Sequence, residues 1–212
     1  MTRTIFTTLL AAVLTTSLAM PASAQVGAGL MDLNGVPEGT LAALPGMTPA
    51  LAKAVVARRP FATIVDANAF LLEQKLTPGQ IAALYEKAFV HINLNTGTGP
   101  EILLIPRVAK RMTREFEEYR PWVNFAQFDK EIGKYVDQAE VTRLKQYVFI
   151  PLDLNAATDE QFKTIPNLPA KMIREFNEYR PWKTKAQFDK EIGKYVDAKE
   201  VARLWRFMVI KP

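Results

Sequence analysis

Four cations fall within eight residues at Arg107, Lys110, Arg111 and Arg114, and two more, Lys171 and Arg174, stand sixty residues beyond the last pair. Guanidinium and ammonium groups set one turn apart can make charge-assisted hydrogen bonds to phosphate oxygens. The competing reading is a solvated helix face, because Glu115, Glu117 and Glu118 lie among the cations and offset them. Other chemistries find little support. The chain has no cysteine, which removes thiol nucleophiles, cysteine metal sites and disulfides. Its single histidine, His91, sits beside apolar residues with no partner pattern, so no catalytic or metal role is expected of it. The acids of "AQFDKEIGKYVD", Asp129, Glu131 and Asp137, alternate with Lys130 and Lys134 and read as a charged outer face. No nucleophile–base pair and no metal motif occurs. The sequence therefore predicts a non-enzymatic protein without metal or cofactor.

These cations belong to a repeated text. "EFEEYRPWVNFAQFDKEIGKYVD" (115–137) returns as "EFNEYRPWKTKAQFDKEIGKYVD" (175–197). The repeat is wider than this copy. "DLN" opens at Asp32 and at Asp153, with "NLN" at Asn93 between them. Pro45, Pro106 and Pro166 each follow an apolar residue, and "RPF" or "RPW" follows fifteen residues later at Pro60, Pro121 and Pro181. Three units result, 25–92 (its repeat beginning at Asp32), 93–152 and 153–212, the last two a close pair and the first a diverged cousin. Residues 1–24 are expected to be a cleaved signal peptide. Arg3 supplies a positive start, "IFTTLLAAVLTTSLAM" a short apolar run, and "ASA" at 22–24 a cleavage site. That run is too short and too threonine-broken for a spanning helix. Export across the inner membrane to the periplasm follows, with no membrane insertion after cleavage.

Each unit reads as about four short helices. "TGPE" at Thr98–Glu101 and "TDEQ" at Thr158–Gln161 are capping boxes, a polar cap answered three residues later by Glu or Gln. "TPGQ" (Thr77), "DQAE" (Asp137) and "DAKE" (Asp197) place a further helix start at one position of every unit. Val108, Met112, Phe116 and Tyr119 share a helical face, as do Leu168, Met172, Phe176 and Tyr179. The Arg-Pro step should end that helix, since the residue before proline avoids the α region. Tyr119 and Tyr179 are expected in the core, with Trp122 and Trp182 packed under the following loop. The "DLN" and closing "VHI", "VFI" and "MVI" segments are too short to assign.

"LAALPGMTPALAKAVVARRPF" (41–61) resembles a helix-hairpin-helix motif, and the layout of each unit is similar to the ComEA-like competence domain over essentially all of 32–212. The first unit also resembles the extrinsic 12-kDa subunit of photosystem II, which shares the fold but works as a structural partner. The resemblance implies an all-α fold of tandem helix-hairpin-helix units. It also implies a phosphate site in which a Gly-apolar-Gly turn opens the second helix, whose N-terminal amides and nearby cations meet the DNA backbone. Carried over, the site comprises Gly46, Met47, Thr48 and Lys53 in unit one, Arg107, Lys110, Arg111 and Arg114 in unit two, and Asn167, Lys171 and Arg174 in unit three. The chain departs from the pattern in every copy. Thr48 replaces the second glycine, Arg107-Val108-Ala109 has no glycine, and Asn167-Leu168-Pro169 ends on a residue without an N–H.

Two functions follow. The first is sequence-independent binding of double-stranded DNA, with DNA uptake as the process the family implies and three hairpins adding avidity along a rod or arc of units. The second is a periplasmic protein-interaction scaffold whose hairpins have lost DNA binding. Charge divides them: the units carry net 0, +1 and +3, mildly basic and no more. Neither reading expects a small-molecule substrate.

Overall fold

The computed structural model describes residues 26–211, so the expected leader lies outside the described residues. The chain is mostly helical. Its first repeat runs β1 (Met31–Asp32), α1 (Glu38–Ala42), α2 (Pro49–Arg58), α3 (Ile64–Glu73), α4 (Pro78–Tyr85) and β2 (Ala88–Phe89). The second runs β3 (Ile92–Asn93), α5 (Gly99–Ile102), α6 (Arg111–Glu118), α7 (Phe125–Ile132), α8 (Gln138–Lys145) and β4 (Val148–Phe149). The third runs β5 (Leu152–Asp153), α9 (Asp159–Phe162), α10 (Ala170–Glu178), α11 (Lys185–Ile192), α12 (Ala198–Trp205) and β6 (Met208–Val209). Among the described residues no helix is long and apolar enough to cross a membrane.

The helix starts fall where the caps place them. Thr77 and Gln80 bond reciprocally, Thr77 N–H to the Gln80 side chain at 2.9 Å and Gln80 N–H to the Thr77 hydroxyl at 3.3 Å. Thr158 and Gln161 repeat the arrangement. Asp137 and Asp197 accept from the amides of Glu140 and Glu200 at 2.8 and 2.9 Å. Those boxes stay half-made, because each glutamate turns to an arginine three residues on. Arg143 donates to Glu140, and Arg203 to Glu200, through Nε and Nη2.

Two-residue strands lie at or beside the unassigned end segments, inside "VFI" and "MVI" but at Ala88–Phe89, just ahead of "VHI", in the first repeat. β1 pairs with β2, β3 with β4 and β5 with β6, each parallel and two residues long. Parallel pairing needs a crossover, and here the four helices of a repeat supply it. Two residues are too few to show an alternation period, so the sequence carried no sign of them.

One recurring contact explains why "LN" and "RPW" keep a fixed separation. The Asn95 side chain donates to the Trp122 carbonyl at 3.0 Å and accepts from the Trp122 amide at 2.6 Å. Asn155 does the same with Trp182, and Asn34 with Phe61. The preceding arginine locks the other side: Arg120 Nε donates to the Leu94 carbonyl at 2.7 Å and Arg180 Nε to Leu154 at 2.6 Å. The peptide bonds of Arg59–Pro60, Arg120–Pro121 and Arg180–Pro181 are cis. Trp122 and Trp182 are buried, as expected, and each indole N–H donates to a carbonyl of the helix above, Phe116 or Phe176, at 2.8 Å. Buried polar groups demand such partners.

The repeats close on one another instead of extending as a rod. Repeats one and two share a continuous core, joined through the edge-to-face rings of Tyr85, Phe89 and Tyr147. Phe149 packs on Phe207 at 4.8 Å and joins repeat two to the core of repeat three. Repeat three then reaches repeat one: buried Arg203 pairs with buried Asp32 at 3.4 Å, Arg206 donates to the His91 carbonyl at 3.0 Å, and Lys199 to the Ala57 carbonyl at 2.9 Å. The chain start contributes too. Val26 bridges Phe149, and Gly27 donates to the Val148 carbonyl at 3.2 Å. A side chain on Gly27 would meet the Lys145 carbonyl oxygen at 1.8 Å, so this approach needs glycine.

Candidate nucleic-acid interface

The turn between the first two helices has one backbone shape in all three repeats. Gly46, Arg107 and Asn167 occupy equivalent positions with φ of +73°, +60° and +56°. Left-handed backbone is cheap for glycine, tolerable for asparagine and costly for arginine. The fold therefore imposes this turn whichever residue stands there. The next amide closes it each time: Met47 donates to Leu44, Val108 to Ile105 and Leu168 to Ile165. That N–H is consequently spent in every copy, and a phosphate at these turns must look to the helix that follows.

There the repeats divide. In repeat one Thr48 caps α2, accepting from the Leu51 amide at 3.2 Å, with Pro49 at the first helical position. This is the start the sequence predicts, and it satisfies the helix from within. α6 and α10 begin at Arg111 and Ala170, and the residues before them, Lys110 and Pro169, supply no side-chain cap. At these starts the Met112 amide donates back to Ala109 and the Met172 amide to Pro169, so an anion would meet the helix dipole more than a set of free amides. Beyond the turn, Lys53, Arg114 and Arg174 are equivalent residues and all three are exposed. A cation at this place in each repeat is the most regular feature of the predicted site.

The remaining predicted residues are exposed too, and most lie against a protein partner. Arg107 reaches back to Glu86 of repeat one at 3.2 Å, and its turn lines a groove with Leu72, Ile81 and Tyr85. Asn167 faces repeat one, its side-chain amide lying 2.6 Å from where a Cβ on Gly35 would stand. Arg111 lies over the Tyr135 ring at 4.8 Å and Lys171 over Tyr195 at 4.7 Å. These tyrosines were absent from the predicted site, although both lie in the copied stretch. Tyr119 and Tyr135 share a hydroxyl hydrogen bond at 2.8 Å, and Tyr179 and Tyr195 one at 3.0 Å. The Tyr119 hydroxyl, with Glu115 behind it, pushes the Tyr135 phenol up. The Tyr195 hydroxyl, with Arg174 nearby, holds the Glu175 carboxyl below its usual value. Glu115 and Glu175 are buried, and Arg114 and Arg174 pair with them at 3.3 and 3.2 Å while staying exposed themselves. Repeat one has Ala54, Arg58 and Lys75 in place of this Glu–Tyr–Tyr set.

All eight of Lys53, Arg107, Lys110, Arg111, Arg114, Asn167, Lys171 and Arg174 are thus exposed; Arg107, Arg111, Arg114, Lys171 and Arg174 each also touch a protein partner, whereas Lys53 and Lys110 have no side-chain partner among the described residues. His91, without an expected role, is fully buried where the repeats meet. Burial lowers its pKa, and neither ring nitrogen finds a partner among the described residues. No group of three or more metal-ligating side chains occurs among the described residues. The chain matches no family model, no curated protein and no solved structure.

Proposed function

We propose that this chain is an exported, non-enzymatic protein of tandem helix-hairpin-helix units that binds the backbone of double-stranded DNA without sequence preference, in the manner of DNA uptake. One observation carries the reading: an identical left-handed turn followed by an exposed cation at Lys53, Arg114 and Arg174. In repeats two and three the uncapped helix start adds its dipole, and in repeat two Lys110 adds a second exposed charge. Side chains then do what glycine-rich backbone does in the family resembled, and contacts of this kind position a duplex without reading bases.

The test is a titration of residues 25–212 against a random-sequence duplex at low and at physiological salt. Neutralising each phosphate contact should contribute roughly 0.9 to the salt slope, so a three-contact surface loses affinity visibly across that range. Lys53→Glu and Lys110→Glu, whose side chains have no partner among the described residues, should together weaken binding severalfold while the melting temperature holds. Absence of binding at low salt would overturn the proposal.

A second reading has its own support. Arg107 and Asn167, though exposed, lean against repeat one, and a groove of about 380 Å³ between the turn of repeat two and helices α3 and α4 has Leu72 and Leu103 exposed at its rim. On that reading the turns serve shape and the protein is a periplasmic scaffold for another protein. The charge-reversed variant would then retain partner binding.

A further inference from the structure

The junctions between successive repeats are built alike, and among the described residues only one of them is filled by a long side chain from elsewhere in the chain. Between repeats one and two, Arg206 enters from α12. It is half-buried, donates to the His91 carbonyl, and feels the carboxylates of Asp32 and Glu101. One repeat further on, the counterparts of His91, Asp32 and Glu101 are Pro151, Asn93 and Gln161. All three line an open cleft of about 450 Å³ between repeats two and three, floored by Trp122, Ile150, Leu152 and Met208. A volume of this size suits a small ligand.

The polar groups of the two junctions differ in kind. Where Arg206 sits, the chain presents acids. In the open cleft both positions are amides, and their orientation is settled by the backbone. The Asn93 side-chain oxygen accepts from the Asn95 amide at 2.9 Å, and the Gln161 side-chain oxygen accepts from Thr158 at 2.9 Å. Each therefore turns an NH2 group free to donate. Lys211 lines the same cleft and has no ion-pair partner among the described residues. The one acid there is Asp153, whose Oδ1 already accepts from the Asn155 amide. Donors outnumber acceptors, and Lys211 balances Asp153. Such a site favours a ligand that brings acceptors and negative charge.

We propose that the cleft between repeats two and three binds a small carboxylate with an apolar body. The carboxylate meets Asn93, Gln161 and Lys211, and the body lies against Val123 and Pro151, above the buried Trp122. None of these residues belongs to the hairpin cations, so the site stands independently of DNA binding.

The experiment is an NMR titration of residues 25–212 with hexanoate, hexanamide and hexylguanidinium, each to on the order of 10 mM, where weak binders register. Hexanoate should shift the side-chain amides of Asn93 and Gln161 and the indole of Trp122, with hexanamide and hexylguanidinium far weaker. Lys211→Ala should weaken hexanoate roughly fivefold. Asn93→Asp with Gln161→Glu installs the residues of the filled junction, where Asp32 and Glu101 already make the same backbone contacts, so this variant folds. It should reverse the preference toward hexylguanidinium. Equal binding of all three probes, binding of none, stronger binding of the cation by the unaltered protein, or an unreversed preference in the double variant would each overturn the proposal.

Discussion

Arg143 and Arg203 stand at the same place in repeats two and three, and their immediate surroundings match. Each pairs with a glutamate three residues back, and each donates Nη1 to the carbonyl of the turn proline, Pro106 or Pro166, at 2.8 Å. They part in what lies beyond the repeat. Arg143 faces partly outward, whereas Arg203 is buried and reaches Asp32 of repeat one. Near-identical text therefore performs two tasks. Within a repeat it ties the last helix to the turn, and at the end of the array it also closes the molecule.

Substitution separates the two tasks. Arg203→Met strips the buried Asp32 of its partner and should cost about 3–5 kcal/mol. Arg143→Met loses only the local bonds and should cost about 1–2 kcal/mol. Denaturant melts of the two variants measure the difference, and equal costs would mean that the contact between repeats one and three stabilises nothing.

The asparagine latch supplies the opposite expectation, because it lies wholly inside each repeat. Asn95→Ala and Asn155→Ala each leave an amide and a carbonyl of a buried tryptophan unpaired, and each should cost about 2–4 kcal/mol. The same melts check this, and unequal values would show that the copies are not equivalent even internally.

The turns offer a smaller and sign-reversing comparison. Gly46→Ala places a Cβ at φ +73°, 3.1 Å from the Gln80 Cβ. It should destabilise by about 1–2 kcal/mol. Arg107→Gly relieves a strained arginine whose pairing with Glu86 is exposed, and should stabilise by up to about 1 kcal/mol. If both substitutions destabilise, glycine is not what the turn of repeat two lacks.

The last comparison is between acid and neutral pH at the junction of the three repeats. Burial holds the folded pKa of His91 below its ordinary 6.5. The unfolded chain then takes the proton first, so stability falls as pH drops below that value and levels off once the folded His91 titrates. Asp32, which opposes the shift, and Arg206, which adds to it, face the same ring. His91→Leu should flatten the fall in melting temperature between pH 7 and 5, and an unchanged slope would place the acid sensitivity elsewhere.

Local chemistry made much of this protein legible in its sequence. The caps at Thr77, Thr98, Thr158, Asp137 and Asp197, the apolar stripes ending in Tyr119 and Tyr179, and the Arg-Pro stops all act over three or four residues, and such signals survive without knowledge of the fold. They are enough to count three repeats of four helices. The strands were hidden because each is two residues long and its partner lies at the far end of the repeat. The left-handed turn at Arg107 was hidden for a related reason: residue type argues against it, and only packing around Ile105 and Val108 compels it. The cations were visible as charges, but their freedom was not. Whether an exposed cation stands alone, as Lys110 does, or lies over a tyrosine ring, as Arg111 does, depends on which helix returns beside it. Closure of the array belongs wholly to tertiary structure, because Asp32 and Arg203 are 171 residues apart and no local pattern joins them. A repeated sequence determines the repeated unit through short-range caps and periodicity. How the units meet, and which junction stays open, is decided by side chains that touch only once the chain has folded.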